Sequence, residues 1–233
     1  MKLAIICDVH GNLAALEAVA RDLDRVVGLQ HVLVGGDICL GGLEPAECID
    51  FLRQREWSAI LGNTDRYITE EVVPAGPAAS LLDWTRRSLD SDHMLYLAEL
   101  PFQLRMVPEE GHDLYLVHAT PWDIEEAVQP DAPEDLVERI FEKARANLVV
   151  YGHVHKQHRR ELRGRVLVNP GSVGFPFDWD PRPAYALFTW DGRWHVQLRR
   201  VERGYDPERI ARRYAAHHPY GAIWAQRIRT ARA

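Results

Sequence analysis

The sequence predicts an α/β protein in which two β-sheets are flanked by helices, with a helical insertion and a helical tail. Three observations predict this. Short apolar runs alternate with amphipathic helical patterns through the first third of the chain, the pattern of a mainly parallel sheet covered by helices. Residues 66–100 carry helical patterns with no strand between them. Strand patterns then resume, and the chain closes on a basic amphipathic segment.

Element by element, Lys2–Cys7 is a short apolar run that reads as a buried strand. Asn12 is placed to cap a helix bearing Leu13, Leu16, Val19, Ala20 and Leu23 at helical spacing. His31–Val34 is the second strand. Pro45 opens a helix carrying Cys48, Ile49 and Leu52. Trp57–Leu61 is the third strand. The insertion contains a Pro/Gly spacer at Pro74–Pro77 and helical patterns around Leu81–Leu89 and Met94–Leu100. Strands are expected at Leu104–Val107, Leu114–Val117, Leu148–Tyr151, Val166–Val168, Ala184–Trp190 and His195–Arg199, with a helix over about Pro133–Ala146. Asp191-Gly192 is a hairpin signal between the last two strands. The reading is one domain over 1–233, with a tail over 201–233 that is helical from about Pro207.

Composition excludes several classes. The 233 residues carry 28 Lys+Arg against 34 Asp+Glu, a net charge of −6, and 46% are hydrophobic. A chain this apolar can bury enough surface to offset the entropy of ordering, which argues against disorder. The three cysteines, Cys7, Cys39 and Cys48, are too few for a disulfide scaffold. No apolar run approaches the ~20 residues of a membrane span. Lys2 precedes a run that meets Asp8 and His10 at once, unlike a secretory leader, so a cytoplasmic location is expected. The net negative charge, with no basic stripe beside the motifs, argues against stable nucleic-acid binding. The sequence fixes no oligomeric state. Nine arginines from Arg199 onward face only Glu202, Asp206 and Glu208 in the tail. A tail of this sign could touch anionic ligands, but a basic amphipathic tail packed on an acidic body is the simpler account.

The chemistry lies where strands end. Asp8-Val9-His10, Gly36-Asp37, Gly62-Asn63, Val117-His118 and Gly152-His153-Val154-His155 each follow a proposed strand, at the edge where open α/β sheets bind ligands. If these segments are extended, Asp8 and His10 project to one side, as do His153 and His155. The donors are two carboxylates, one amide oxygen and four imidazoles, with no thiolate. Such a set suits Mn, Fe, Ni or Zn. Seven ligands exceed one tetrahedral ion and fit two ions sharing a carboxylate. Two divalent ions against Asp8, Asp37 and a hydroxide leave a net of about +1, which still attracts a phosphate.

This series resembles the calcineurin-like metallophosphoesterase superfamily, in the order DVH (Asp8–His10), GGD ending at Asp37, GNTD (Gly62–Asp65), VHAT (Val117–Thr120) and GHVH (Gly152–His155). DVHGNLAALEAV, WTRRSLDSDHMLYLAELP, VNPGSVG and YDPERIARR resemble its small bacterial and archaeal phosphoesterases. The resemblance implies two mixed sheets packed as a four-layer α/β/β/α sandwich. It implies that Asp8, His10 and His155 hold one ion, Asn63, His118 and His153 the other, and that Asp37 bridges. It also implies a metal-bridging hydroxide as nucleophile, manganese as the leading choice of metal with Fe, Ni or Zn as alternatives, and a small phosphoester or nucleotide as substrate. Asp37, Asn63 and Asp65 are thus the expected catalytic residues, and Asn12, Asn63 and Thr64 the expected substrate contacts. A phosphodiesterase or phosphatase is the leading reading. A dinucleoside-polyphosphate or cyclic-nucleotide hydrolase and a non-catalytic scaffold are the alternatives.

Two departures stand out. Many members place His after Gly-Asn, where it can protonate the leaving group; here Thr64 stands there, and a hydroxyl is far too weak an acid for that task. Asp65 has two readings, a partner that orients a ligand or a cap for the helix from Arg66 onward. Where relatives have Gln-Pro-Arg, this chain has Phe175-Pro176-Phe177, so one candidate phosphate-binding arginine is missing. The two rings either stack on a flat substrate group or pack in the core.

Overall fold

The computed structural model describes residues 1–70 and 77–233. Residues 74–76 of the Pro/Gly spacer lie outside the described residues, and Pro77 opens α4. In chain order the elements are β1 (Lys2–Ile6), α1 (Leu13–Leu23), β2 (His31–Val34), α2 (Pro45–Gln54), β3 (Ser58–Ala59), α3 (Asn63–Thr69), α4 (Pro77–Arg86), α5 (Ser91–Ala98), β4 (Gln103–Met106) and β5 (Leu114–Val117). There follow α6 (Glu134–Ala144), β6 (Leu148–Val150), β7 (His158–Leu162), β8 (Arg165–Asn169), β9 (Ala184–Trp190), β10 (Trp194–Arg200), α7 (Pro207–His217) and α8 (Gly221–Thr230). No helix among the described residues is long and apolar enough to cross a membrane.

The strands form two five-stranded sheets, in the orders β10-β9-β1-β2-β3 and β4-β5-β6-β8-β7. Each has three adjacent parallel strands, β1-β2-β3 at one end of the first sheet and β5-β6-β8 in the middle of the second. Antiparallel partners complete them: β9 and β10 in the first, β4 and β7 in the second.

Alternation of side chains along the strands builds the layers. Leu3, Ile5 and Cys7 of the first sheet meet Leu114, Leu116, Leu148 and Val150 of the second in a core between the sheets. The intervening Ala4 and Ile6 face outward, onto Leu16, Val19 and Ile49 of α1 and α2. On the other side Tyr115, Val117 and Val149 face Val137, Ile140 and Phe141 of α6. The central strands are therefore buried on both faces and read as continuous apolar runs. The result is the expected four-layer α/β/β/α sandwich.

Three sequence expectations need correction. The third strand is only Ser58–Ala59; beyond it Ile60 N still donates to Val34 O at 2.9 Å, but Leu61 N turns to Pro101 O at 2.8 Å. Strand β7 was not expected, because HRREL alternates half-buried with exposed positions and offers no apolar face. The helical insertion starts at Asn63 rather than 66, so the Gly-Asn motif itself forms the first turn of α3. The tail, in turn, is two helices: it breaks at His218-Pro219-Tyr220, where proline cannot continue α7.

The tail folds back onto the body. Ile210, Ala211 and Tyr214 of α7 and Ala225 and Ile228 of α8 pack around Phe175. His218 sits against Trp84 at 5.1 Å, Trp224 at 5.3 Å and Tyr214 at 5.7 Å between ring centroids, and its Nδ1 accepts from Tyr220 N at 3.0 Å. Burial pushes this imidazole below its ordinary value of 6.5, to about 4. A depressed histidine stabilises the fold only while neutral. Its contribution is whole above the unfolded pKa and is lost as pH falls from about 6.5 toward 4, at no more than ~1.4 kcal/mol per pH unit. Urea denaturation at pH 7.5 and pH 5 should show a smaller loss of stability for His218→Phe than for the wild type. Equal losses would assign the acid sensitivity elsewhere.

Candidate metal centre

The seven expected ligands come from five strand ends of both sheets, and hydrogen bonds between the loops draw them together. Asp8 N donates to Gly36 O at 3.1 Å and His10 N to Asp37 O at 2.9 Å, joining the ends of β1 and β2. Gly152 N donates to His118 O at 2.9 Å, joining the ends of β6 and β5. Val173 N to Cys7 O and Gly174 N to Asp8 O, both 2.9 Å, tie in the segment after β8. Ser172 Oγ reinforces this seam, donating to Asp8 O and accepting from Phe175 N, both at 2.8 Å.

The reason for the convergence differs from the sequence argument. The ligand segments are not extended. Asp8, His10, Asp37, His153 and His155 all have positive φ, between 51° and 67°, where Asp and His are tolerated better than most residues. The left-handed turn at each residue, rather than strand alternation, aims both members of each pair into the site. Such backbone costs about 1 kcal/mol or more per residue and persists only where its surroundings enforce it. Gly62 is one enforcer: a Cβ there would lie 2.1 Å from Asp37 Oδ1 and 2.2 Å from Asp37 N.

The side chains form two groups that share Asp37. Ligand atoms of Asp8, His10, Asp37 and His155 lie within 4.8 Å of one another, as do those of Asp37, His118 and His153. His10 Nδ1 donates to Leu40 O at 2.7 Å, His155 Nδ1 to Phe175 O at 2.6 Å and His118 Nδ1 to Gly35 O at 2.8 Å. A carbonyl only accepts, so these bonds fix the tautomers and leave each Nε2 as a bare lone pair. Yet His10 Nε2 and His155 Nε2 stand 3.1 Å apart, and His118 Nε2 stands 3.0 Å from Asn63 Oδ1. Asn63 Oδ1 is also 3.0 Å from His153 Nδ1. His10 Nε2 lies 3.5 Å from Asp37 Oδ2, and His118 Nε2 lies 3.4 Å from Asp37 Oδ1. Two donors each ~2.1 Å from one ion are separated by about 3.0–3.4 Å at octahedral or tetrahedral angles. Facing lone pairs at these spacings fit a cation between them. Asp8 Oδ2 adds to the fit, being buried with no hydrogen-bond partner.

Electrostatics agrees. Burial pushes His10, His153 and His155 below the ordinary imidazole value, holding them in the neutral form that ligates. Burial, then the neighbouring Asp37, pushes Asp8 well up. For Asp37 burial also acts upward, but His118, His10 and the Thr64 N–H outweigh it and bring the carboxyl down to about 2. A shared, ionised carboxylate thus sits between the two imidazole sets.

Asp65 lies within the first turn of α3 rather than ahead of a helix from Arg66, and it braces the Asp37 segment. Its buried carboxylate accepts from Asp37 N and Ile38 N, each at 2.8 Å, and from Gly62 N at 3.1 Å at the start of α3. Burial and Asp37 push it up to about 7. Thr64 N donates to Asp37 Oδ1 at 2.9 Å. The Asn12 amide is engaged at both ends, accepting from Ala15 N at 3.2 Å and donating to Gly174 O at 2.9 Å, so it braces α1 against the segment after β8. Phe175 is core, while Phe177 is half-buried and stacks on the His155 ring at 4.6 Å and 8°. The centre opens into a cleft of about 260 Å³ lined by Asn63, Thr64, Phe177 and, from the tail, Trp224 and Arg227. Sequence reasoning missed these last two; the only signal was the excess of arginines in the tail.

Residues 1–193 match the calcineurin-like phosphoesterase superfamily domain. The chain belongs to this superfamily. Its solved relatives include a metallophosphoesterase from Sphaerobacter thermophilus, 28% identical, with 99% of each chain covered and a TM-score of 0.78. A hypothetical protein from Pyrococcus horikoshii, 19% identical, shares the fold at a TM-score of 0.86 over 100% of this chain and 99% of its own. An uncharacterized protein of Methanocaldococcus jannaschii is 27% identical over 224 residues, covering 86% of this chain and 87% of that protein. Members of the superfamily bind divalent metals, and the Asp/His groups of this phosphoesterase-family chain could hold metal ions.

Asp65→Asn tests the support behind Asp37. The amide keeps one acceptor oxygen but turns an N–H₂ toward backbone N–H groups that now find a carboxylate. Mn²⁺ affinity in calorimetric titration should fall ~10–100-fold, as for other groups that orient ligands. A well-folded variant with unchanged affinity would contradict the role.

Proposed function

We propose that the chain is a two-metal phosphoester hydrolase, acting as a phosphodiesterase or phosphatase on small phosphoesters or nucleotides. The observation that carries this reading is the sharing of Asp37 by two ligand groups whose lone pairs face one another at ion-compatible spacings. Asp8, His10 and His155 would hold one ion, Asn63, His118 and His153 the other, and Asp37 both, with manganese the leading choice. A divalent pair supplies a water nucleophile at neutral pH and positive charge for the phosphoryl oxygens. The protein does the rest. Asp65 and the Thr64 N–H fix Asp37, backbone carbonyls hold three histidines in the ligating tautomer, and Phe177 covers one face of His155. The three buried, unpaired thiols favour action in a reducing cytoplasm. The tail helices, which complete the cleft wall, belong to one domain spanning 1–233.

A panel of phosphomonoesters, phosphodiesters and nucleotides assayed with Mn, Ni, Fe, Zn and Mg tests the reading. Metal-dependent hydrolysis is expected, and Asp37→Ala should reduce it to background; activity that survives in the variant would point to a contaminant.

Thr64 supplies no proton, so good leaving groups or diesters should be preferred. Thr64→His should raise the rate on poor-leaving-group monoesters by ~10²-fold or more, the lower range for an added general acid. An unchanged rate would refute this account of the leaving group.

A further inference from the structure

Among the described residues lining the metal cleft, Arg227 of α8 is the one with a permanent positive charge. Several arginines of this tail are matched by carboxylates. Arg200 pairs with Asp178, Arg213 with Glu44, and Arg212 and Arg229 with Glu208. Arg227 has no carboxylate partner among the described residues, although it is half-buried and desolvation depresses its pKa. Two rings flank it instead, Trp224 at 5.0 Å and Phe177 at 5.9 Å from the guanidinium carbon. Partly desolvating a charge without a counter-ion is unfavourable. The cation–π contacts hold the guanidinium in place but leave its N–H fork unmatched.

Position narrows what the fork can meet. Phe177 stacks on the His155 ring, and Arg227 stands over Phe177 and Trp224, one ring removed from that histidine. That offset suits a phosphate next to the one seated on the ions. Leu40, Leu81 and Trp224 give the same cleft an apolar wall. On the far side, a pocket of about 490 Å³ shares His153 and Phe177 with the cleft and adds Lys156 and Arg232, the latter 3.7 Å over the exposed Trp179 ring.

We propose that Arg227 is a substrate-binding residue that grips a second, non-reacting phosphate, so that the cleft selects phosphoesters bearing a further phosphate group, of the nucleoside di- or polyphosphate class. The inference rests on the hydrolase reading above and deepens it. Arg suits this role because its planar fork meets two phosphate oxygens at once, whereas a lysine offers a point charge.

The test compares ADP and AMP binding to the Mn-loaded full chain by calorimetry at fixed free Mn²⁺. The wild type should bind ADP about tenfold or more tightly than AMP, the size of one charge-assisted pair. Arg227→Gln should erase most of that ratio, and Arg227→Lys should leave an intermediate one. The Lys variant keeps the charge and stem and so serves if the Gln variant folds poorly. In turnover, the Gln variant should lose about tenfold more kcat/KM on diadenosine tetraphosphate than on bis(p-nitrophenyl) phosphate, with the extra loss in KM. An ADP preference that is absent, or that survives Arg227→Gln, overturns the proposal, as does an equal loss on both substrates. If the wild type hydrolyses nothing, the hydrolase reading fails, while the ADP-to-AMP ratio still decides the role of Arg227.

Discussion

Everything in the centre depends on one buried carboxylate. Asp37 belongs to both ligand groups, and its placement is over-determined. Its own N–H and that of Ile38 are held by Asp65, one of its oxygens accepts from Thr64 N, and Gly62 leaves room that any side chain would fill. The bare Nε2 atoms of His10 and His118 approach the two Asp37 oxygens at 3.5 and 3.4 Å, spacings that suit a cation between them. The left-handed backbone at five ligand residues is the conformational cost of this arrangement. The seam from Asp8 to Ser172 and Gly174 is part of what sustains it.

The two-sheet architecture explains why the ligands come from so many strands. Each sheet has three adjacent parallel strands that point their carboxyl ends the same way. Face-to-face packing through Leu3, Ile5, Leu116 and Val150 brings the two sets of ends to one rim. Neither sheet alone carries a full set. Asp8, His10, Asp37 and Asn63 come from the first, and His118, His153 and His155 from the second. Sheet packing is therefore a requirement of the site as well as of stability.

Much of this was legible in the sequence, for a physical reason. Strands buried on both faces must be apolar throughout, so β1, β5, β6 and β9 stand out, and a polar cluster directly after such a strand has few structural explanations. Edge elements were harder. Strand β7 lies at the margin of its sheet and alternates charges with half-buried positions, and β3 is two residues long. The start of α3 was misplaced because Asn63-Thr64-Asp65 serves as motif and helical turn at once. Left-handed turns at Asp8 and His10 leave no trace in composition. Arg227 and Trp224 were invisible for another reason: they reach the cleft only through tertiary packing of α8 on Phe175.

The central claim is that two ions are held at once through Asp37. The most direct measurement is electron paramagnetic resonance of the Mn-loaded chain. The account predicts an exchange-coupled pair signal that gives way to that of isolated Mn(II) in Asp37→Ala. A wild-type spectrum showing only isolated Mn(II) at saturating metal would contradict it.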